Sequence, residues 1–426
     1  DFKRVIRPNE CFFLDAHMTE FFNLTDPSQA VDLVSDQVTT VSTERVETFQ
    51  SLGRIIAETV KSNGPIPQFV RSSMDGYSVR ASDTFGATEP LPAYLEVIGE
   101  IPMGASSDIS IKHGEAAIAY TGGMLAQAAD AVVMIEHTEV TTGKLLQVFR
   151  PVAIGENTIP VGDDFAEGST IVENGSIIDE KLIGSLLANG ITSSTVFRRP
   201  MVAVLSAGDE LVHPGCDPTP GKVRDINLYT IASSVRAMGA NVKLYPRQSD
   251  QFEEQLAVAR NALSECDVLV FTSGSSISVR DLTSQVVNSL GEPGVLIHGL
   301  TVKPGKPTVL GLCGTKPIIG LPGNPVSAMT IFGIVARPII LHVAGLKNNR
   351  HMLSRWATLT EDVSSLTGRT DFVRVKMRES NEGITATPVF GTSNSISILS
   401  YSDGYVEIPS EVSGVYAGTQ VEIFLD

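Results

Sequence analysis

Four carboxylates and two lysines stand where apolar, strand-like runs give way to polar turns: Asp75, Glu210, Asp225, Asp281, Lys303 and Lys306. Carboxylate oxygens hold hard divalent cations, and ammonium groups on short loops hold anions, so together they suggest a magnesium-assisted phosphate or oxyanion site. Residues 266–281, CDVLVFTSGSSISVRD, carry the clearest local pattern. The β-branched run 268–271 predicts a buried strand. It stops at Thr272, Ser273, Gly274, Ser275 and Ser276, which offer hydroxyls and backbone N–H groups. Arg280 and Asp281 follow, leading into a helical period at Leu282, Val286, Val287 and Leu290. Strand, hydroxyl loop and helix in that order make an anion site from oriented amides and the positive end of the helix. The same loop also serves simply to turn the chain.

Other turns carry related chemistry. Ser206-Ala207-Gly208-Asp209-Glu210 follows an apolar run, and a glycine there lets backbone approach a ligand while the acids bind metal or polar groups. An acidic turn is the plainer reading. Asp225 precedes a helical period, where a lone aspartate commonly serves as an N-cap. Lys303-Pro304-Gly305-Lys306-Pro307 sets two ammonium groups on a stiff frame, which lowers the ordering cost of gripping an anion. Leu321-Pro322-Gly323-Asn324-Pro325-Val326-Ser327 leads into a long helix, with Pro325 suited to the first turn and Ser327 near the outward-facing amides. Residues 71–77 and 121–123 are polar, glycine-bearing interruptions that read as turns. The seven histidines show neither HxxxH nor HExxH spacing, and no GxSxG or GxxxxGK[ST] motif occurs.

The elements that must position these groups change character along the chain. Asp26 and Pro27 predict a helix start, with Ala30, Leu33, Val34 and Val38 at helical spacing. A second helix is expected over roughly 46–60, through Phe49, Leu52, Ile55 and Ile56. From 69 to about 152, short runs at 95–97, 117–120, 131–135 and 145–149 predict a small antiparallel sheet or barrel. A polar return at 155–168 and a short helix at 179–188 follow. From Met201 the pattern alternates strand and helix, predicting a mostly parallel sheet with ligands at the strand C-terminal ends. After Leu346 it reverts to β.

A chain of 426 residues exceeds one core, so two to four domains are expected. Its formal charge of -16 argues against duplex nucleic acid as a partner. Cys11, Cys216, Cys266 and Cys313 are scattered without a CxxC pair, suggesting neither a disulfide framework nor a zinc site. No apolar run is expected to span a membrane and no secretory signal heads the chain, which reads as soluble and cytoplasmic.

The same turns, in order, closely resemble the MoeA family, the molybdopterin molybdenumtransferases or molybdenum insertases, which includes the E domain of gephyrin. The matching pieces are SSMDGYSVR, GEIPMGA, AYTGG with ADAVVMIEHTE, GENTIPVGDDF, LSAGDEL, VRDIN, SGSSISVRDLT, VKPGKP, LPGNPVSA, GRTDFVRV and SDGYVEIP. Residues 1–25 lie outside the resemblance; their apolar cluster at Cys11, Phe12, Phe13, Phe21 and Phe22 reads as a segment packed on another domain. The resemblance implies an elongated domain from two segments (1–65 and 153–195), a small β domain (66–152), a MogA-like α/β molybdopterin-binding domain (196–346) and a C-terminal β-barrel domain (347–426). It implies a homodimer in which the elongated and small β domains of one subunit face the α/β domain of the other. The implied reaction inserts molybdate into molybdopterin-adenylate with magnesium-dependent hydrolysis and release of AMP. Molybdopterin adenylyltransferase and molybdoenzyme apoproteins are the implied partners.

By motif match, Asp75, Glu210, Asp225 and Asp281 take the metal and hydrolysis role, the last three as magnesium ligands, with Thr121 and Glu136 lining the site. Lys303, Lys306 and Ser327, with Arg374 and Ser393, are the implied contacts of molybdate and the pterin phosphate. Ser206, Gly208, the loop Ser273, Gly274, Ser275 and the turn containing Pro322 and Asn324 are the implied walls of the substrate pocket. Ser273 and Ser278 stand where the family usually has glycine; if the backbone there needs positive φ, each serine would cost about 1 kcal/mol or re-aim the loop. A tungstate-inserting paralogue and a catalytically quiet dimeric scaffold remain the alternatives.

Overall fold

The computed structural model describes residues 24–141, 143–273, 277–347, 353–381 and 383–425, and only the backbone at 273 and 277–281. The apolar cluster at 11–22 and the loop residues Gly274 and Ser275 therefore lie outside the described residues, as do the side chains of Ser273, Ser278 and Asp281. The chain divides into two compact units, residues 42–198 and residues 1–41 with 199–426.

In the unit 42–198, Thr43–Glu47 pairs antiparallel with Ser193–Phe197, and Val60–Lys61 with Thr170–Val172. These pairings join the two ends of the segment around Ile56, Val172, Ile178, Leu186 and Val196. The helix expected over 46–60 is absent. A strand, a 3-10 turn at Thr48–Gln50 and extended chain take its place. Ile55 and Ile56 are adjacent and both buried, because each bridges to a different strand-like segment, at Ile177 and Val196. Phe49 and Leu52, which supplied the apparent period, are exposed. The helix Glu180–Ala188 forms as the sequence indicates, its N-cap Asp179 accepting from Leu182 N–H.

A six-stranded sheet occupies the middle of the unit. Its order is Ala131–Met134, Gly76–Val79, Glu115–Ala119, Ala93–Glu100, Leu145–Val148, Thr138–Val140. All pairings are antiparallel except that of Ala93–Glu100 with Glu115–Ala119. Tyr77, Val79, Leu95, Val133, Leu146 and Val148 alternate inward to form its core.

In the other unit, Asp26 caps the helix Pro27–Ser35 by accepting from Ser28 N–H at 2.8 Å. A second six-stranded sheet runs in the order Asn241–Gln248, Met201–Ala207, Val268–Ser273, Lys316–Leu321, Val309–Cys313, Pro293–His298. The first four strands are parallel and the last two form an antiparallel edge. The central Val268–Ser273 strand has a strand on each edge, and its apolar run is buried on both faces, with Leu269, Val270 and Phe271 at 0% exposure. The following helix is Ile277–Leu290, so Arg280 and Asp281 fall inside its first turns rather than ahead of it.

The chain from Pro325 to Val343 is helical over 19 residues and is apolar and long enough to cross a membrane, which corrects the expectation that no run reached that length. It is a core helix, 61% buried. It widens to a π turn at Phe332–Ala336 immediately before Arg337–Val343. Pro338 lacks an N–H and crowds the carbonyl four residues back, which makes regular α bonding impossible there.

Beyond it, Ser354–Leu359, Thr370–Ser380, Gly383–Pro388, Gly404–Ile408 and Gln420–Leu425 close into a five-stranded barrel. Ala357, Leu359, Val375, Val406, Ile408 and Ile423 fill its interior. Val302–Lys303 adds to the edge of this barrel, pairing parallel with Thr370 and Asp371.

Candidate functional site

Three parallel strands end side by side, with Ala207 opposite Ser273 and Thr272 opposite Leu321. This is where an open α/β sheet presents polar loops to a ligand. Ser206 is fully buried here and its hydroxyl has no hydrogen-bond partner among the described residues. Gly208 has φ +153, and a Cβ at that position would lie 2.8 Å from the Glu210 carboxylate. Only glycine brings the turn that close to Glu210.

A short parallel ladder sets Glu210 and Asp225 on neighbouring chain segments. Val223 N–H donates to the Glu210 carbonyl at 2.8 Å, and Asp225 N–H donates to that of Val212 at 2.8 Å. The Asp225 carboxylate is buried and accepts from Leu228 N–H at 3.2 Å, so it does cap the following helix. Only one of its oxygens is used in that bond. Asn227 donates to the Gly323 carbonyl at 2.7 Å, tying this corner to the turn containing Pro322 and Asn324. The donor set, two carboxylates beside a buried hydroxyl, fits a hard divalent cation in kind. Among the described residues no three of His, Cys, Asp and Glu cluster closely enough to hold a metal ion by themselves.

The lysine loop opens on a second feature, a cleft of about 900 Å3. Lys303, Lys306, Pro322, Asn324, Ser327, Arg374 and Ser393 all line it. The loop is fixed from within: the Lys306 carbonyl accepts from Leu300 N–H at 2.9 Å and Thr308 N–H at 3.0 Å, and Thr308 Oγ1 donates to the Gly305 carbonyl at 2.7 Å. Gly305 has φ +112, and a Cβ would sit 2.4 Å from the Ile331 side chain. Pro325 opens the helix, as its spacing indicates. Asn324 donates to Ser393 Oγ at 2.8 Å, and Val326 N–H donates to the Ser393 carbonyl at 3.1 Å, so one of the helix's first amides is satisfied by the barrel-side loop. Ser327 is buried. Arg374, also buried, comes from the barrel strand Thr370–Ser380.

Two residues of the cleft escaped the sequence reading. Arg369 and Asp371 stand beside Lys303, with Arg369 Nε donating to Asp371 Oδ1 at 2.9 Å. Asp371 belongs to the strand Thr370–Ser380 and Arg369 lies just ahead of it, and no local pattern in the sequence marks the pair.

In the unit 42–198, Thr121 donates its backbone N–H at 2.8 Å and its hydroxyl at 2.9 Å to Asp75 Oδ1. These bonds, the backbone one foremost, hold the Asp75 carboxyl below the usual carboxylate range. The Asp75 carbonyl accepts from Ile135 N–H at 3.1 Å, which brings the 3-10 turn carrying exposed Glu136 alongside. Asp75, Thr121 and Glu136 thus form one group, and the other expected site residues lie in the other unit.

A parallel sheet ending in carboxylate and hydroxyl turns, joined to a barrel across a cleft lined by lysine and arginine, defines an α/β protein with a C-terminal barrel. Residues 25–190 match the MoeA N-terminal region (domain I and II), 203–342 a probable molybdopterin binding domain, and 356–425 the MoeA C-terminal region (domain IV). The chain is 30% identical over 387 residues to the molybdopterin molybdenumtransferase of Bacillus subtilis, covering 90% of each chain. It is 29% identical over 400 residues to the enzyme of that name from Staphylococcus epidermidis, covering 93% of this chain and 94% of the other. The solved molybdopterin biosynthesis MoeA protein of Pyrococcus horikoshii OT3 superposes with a TM-score of 0.82 at 28% identity, over 95% of this chain and 100% of that one. The chain belongs to the MoeA family.

Proposed function

We propose that the chain inserts molybdate into molybdopterin-adenylate, with magnesium-dependent hydrolysis of the phosphoanhydride and release of AMP. Family membership makes it a transferase of molybdenum cofactor biosynthesis, a molybdopterin molybdenumtransferase. The finer reading rests on one observation above the others. Lys303, Lys306 and Ser327 of the α/β part converge with Arg374 and Ser393 of the barrel on a single cleft. A tetrahedral dianion needs such a set: cations for its charge and hydroxyls for its oxygens.

Glu210 and Asp225, with Asp281 from the helix after the central strand, would hold magnesium, which when bound neutralises charge on the two phosphates. Ser206 and Gly208 stand at the strand ends, and with Ser273, Gly274 and Ser275 they would receive the pterin or nucleotide. The turn at Pro322 and Asn324 joins that corner to the oxyanion cleft through the Asn227–Gly323 bond. Asp75, held below the usual carboxylate range by its Thr121 bonds, serves the hydrolytic step with Glu136 near it. The frame of this reading is the four-domain division at 1–65 with 153–195, 66–152, 196–346 and 347–426.

The working form is a homodimer in the cytoplasm. It receives its substrate from a molybdopterin adenylyltransferase and hands its product to molybdoenzyme apoproteins. Molybdate-dependent release of AMP from molybdopterin-adenylate tests the reading directly.

A further inference from the structure

We infer that Asp371 is a positioning residue of the oxyanion cleft: a buried carboxylate that sets Lys303 and Arg369 in the arrangement that receives the anion. The inference rests on the cleft being an oxyanion site and goes beyond the residues assigned to contact the anion.

A carboxylate is an unexpected group in a cavity meant for a dianion, since like charges in low dielectric repel. Asp371 is nevertheless 2% exposed, and it lines the same cleft as four basic residues, Lys303, Lys306, Arg369 and Arg374. Its two oxygens are engaged separately. Arg369 Nε donates to Oδ1 at 2.9 Å and Arg369 Nη2 to Oδ2 at 3.5 Å, a side-on fork. Lys303 Nζ lies 3.9 Å from Oδ2. The carboxylate is at the bottom and the cations are above it: the Lys303 side chain is 62% exposed and that of Arg369 31%, against 3% for Asp371. An incoming anion therefore meets the cations first, on the side away from the acid.

The backbone explains why the acid is there. Lys303 stands opposite Asp371 in the two-residue ladder that attaches the lysine loop to the barrel edge, and Thr370 N–H donates to the Thr301 carbonyl at 2.9 Å. The loop and Arg369 come from different parts of the chain, and Asp371 is bonded to Arg369 and ion-paired with Lys303. A long lysine loses much rotamer freedom when it binds, and a fixed counter-charge near its ammonium removes part of that cost beforehand.

The test compares wild type with Asp371→Asn and Asp371→Glu in the full chain. Molybdate binding is read by titration calorimetry, the KM for molybdate and kcat by AMP release, and hydrogen exchange over 299–307 reports the loop. Positioning predicts that Asp371→Asn weakens molybdate binding roughly ten- to a hundredfold, the range for losing an outer partner that orients a ligand-binding group. The KM for molybdate rises while kcat at saturation holds, exchange in the loop increases, and Asp371→Glu recovers part of the affinity. Equal or tighter binding by Asp371→Asn overturns the inference, because the acid would then be a competitor of the anion. A parallel loss of kcat and of thermal stability with unchanged KM also overturns it, as that is a folding role alone. Should wild type bind no molybdate, the functional reading fails instead. Exchange in the loop then still decides whether Asp371 fixes Lys303, and unchanged exchange in Asp371→Asn sinks the inference on its own.

Discussion

Asp75 shows how a single exposed carboxylate is readied for chemistry by its neighbours. Two donors from one residue, Thr121, converge on one oxygen, so the charged form is favoured without burial. Replacing Thr121 by valine removes the hydroxyl bond and leaves the backbone one, so the Asp75 carboxyl should move up toward the usual carboxylate range. The sign follows from the depressed value in the folded state: the contribution of these bonds is complete above the unfolded carboxyl's range and is lost as pH falls through the folded one. At neutral pH Asp75 stays ionised in both proteins, and the difference is confined to acid. Titration of the carboxyl carbon by NMR measures it, and an unmoved titration would show that the hydroxyl bond is immaterial. At this scale the polar interruptions between apolar runs single out Asp75 and Asp225, whereas Lys303 ends a short strand and Ser327 is buried in the first turn of the helix Pro325–Ile331. The sequence could not show that Asp225 both caps a helix and keeps a free oxygen, because capping and ligation use the same residue type at the same place.

At the scale of elements, backbone geometry decides whether those groups are aimed. The lysine loop depends on Gly305, whose positive φ and contact with Ile331 exclude a side chain. Gly305→Ala should cost about 1–3 kcal/mol in stability, from an unfavourable backbone conformation together with overpacking. Molybdate affinity should fall with it as Lys303 and Lys306 shift. Chemical denaturation and calorimetry on the same preparation check both, and an alanine variant with wild-type values would mean the loop is not held as described. Alternation of apolar runs made the α/β sheet and the barrel strands legible, because each strand's pattern follows from how many of its faces are buried. The supposed helix at 46–60 failed for the complementary reason. Its apolar residues recur at helical intervals, yet Ile55 and Ile56 are held by bridges to Ile177 and Val196, partners more than a hundred residues away that no local pattern reports. Arg369 and Asp371 were passed over in the same way. The place of Asp371 comes from the distant lysine strand, whose Lys303 stands opposite it.

For the whole molecule, the sequence pattern reached further than its local physics, since an ordered series of short turns matched a family across nearly the entire chain. The family resemblance implies the C-terminal barrel, and the structure supplies the five strands that close it and the cleft on which Lys303 and Arg374 converge. The proposed homodimer predicts a solution mass of twice the 45.5 kDa chain by light scattering, independent of concentration over the micromolar range; a single-chain mass would contradict it. The most direct measurement of the central claim is AMP release from molybdopterin-adenylate with magnesium, with and without molybdate, in wild type and in Asp281→Ala. The account predicts release that requires molybdate and disappears in the variant. A folded wild-type protein that binds the adenylate and releases no AMP when molybdate is supplied would contradict it.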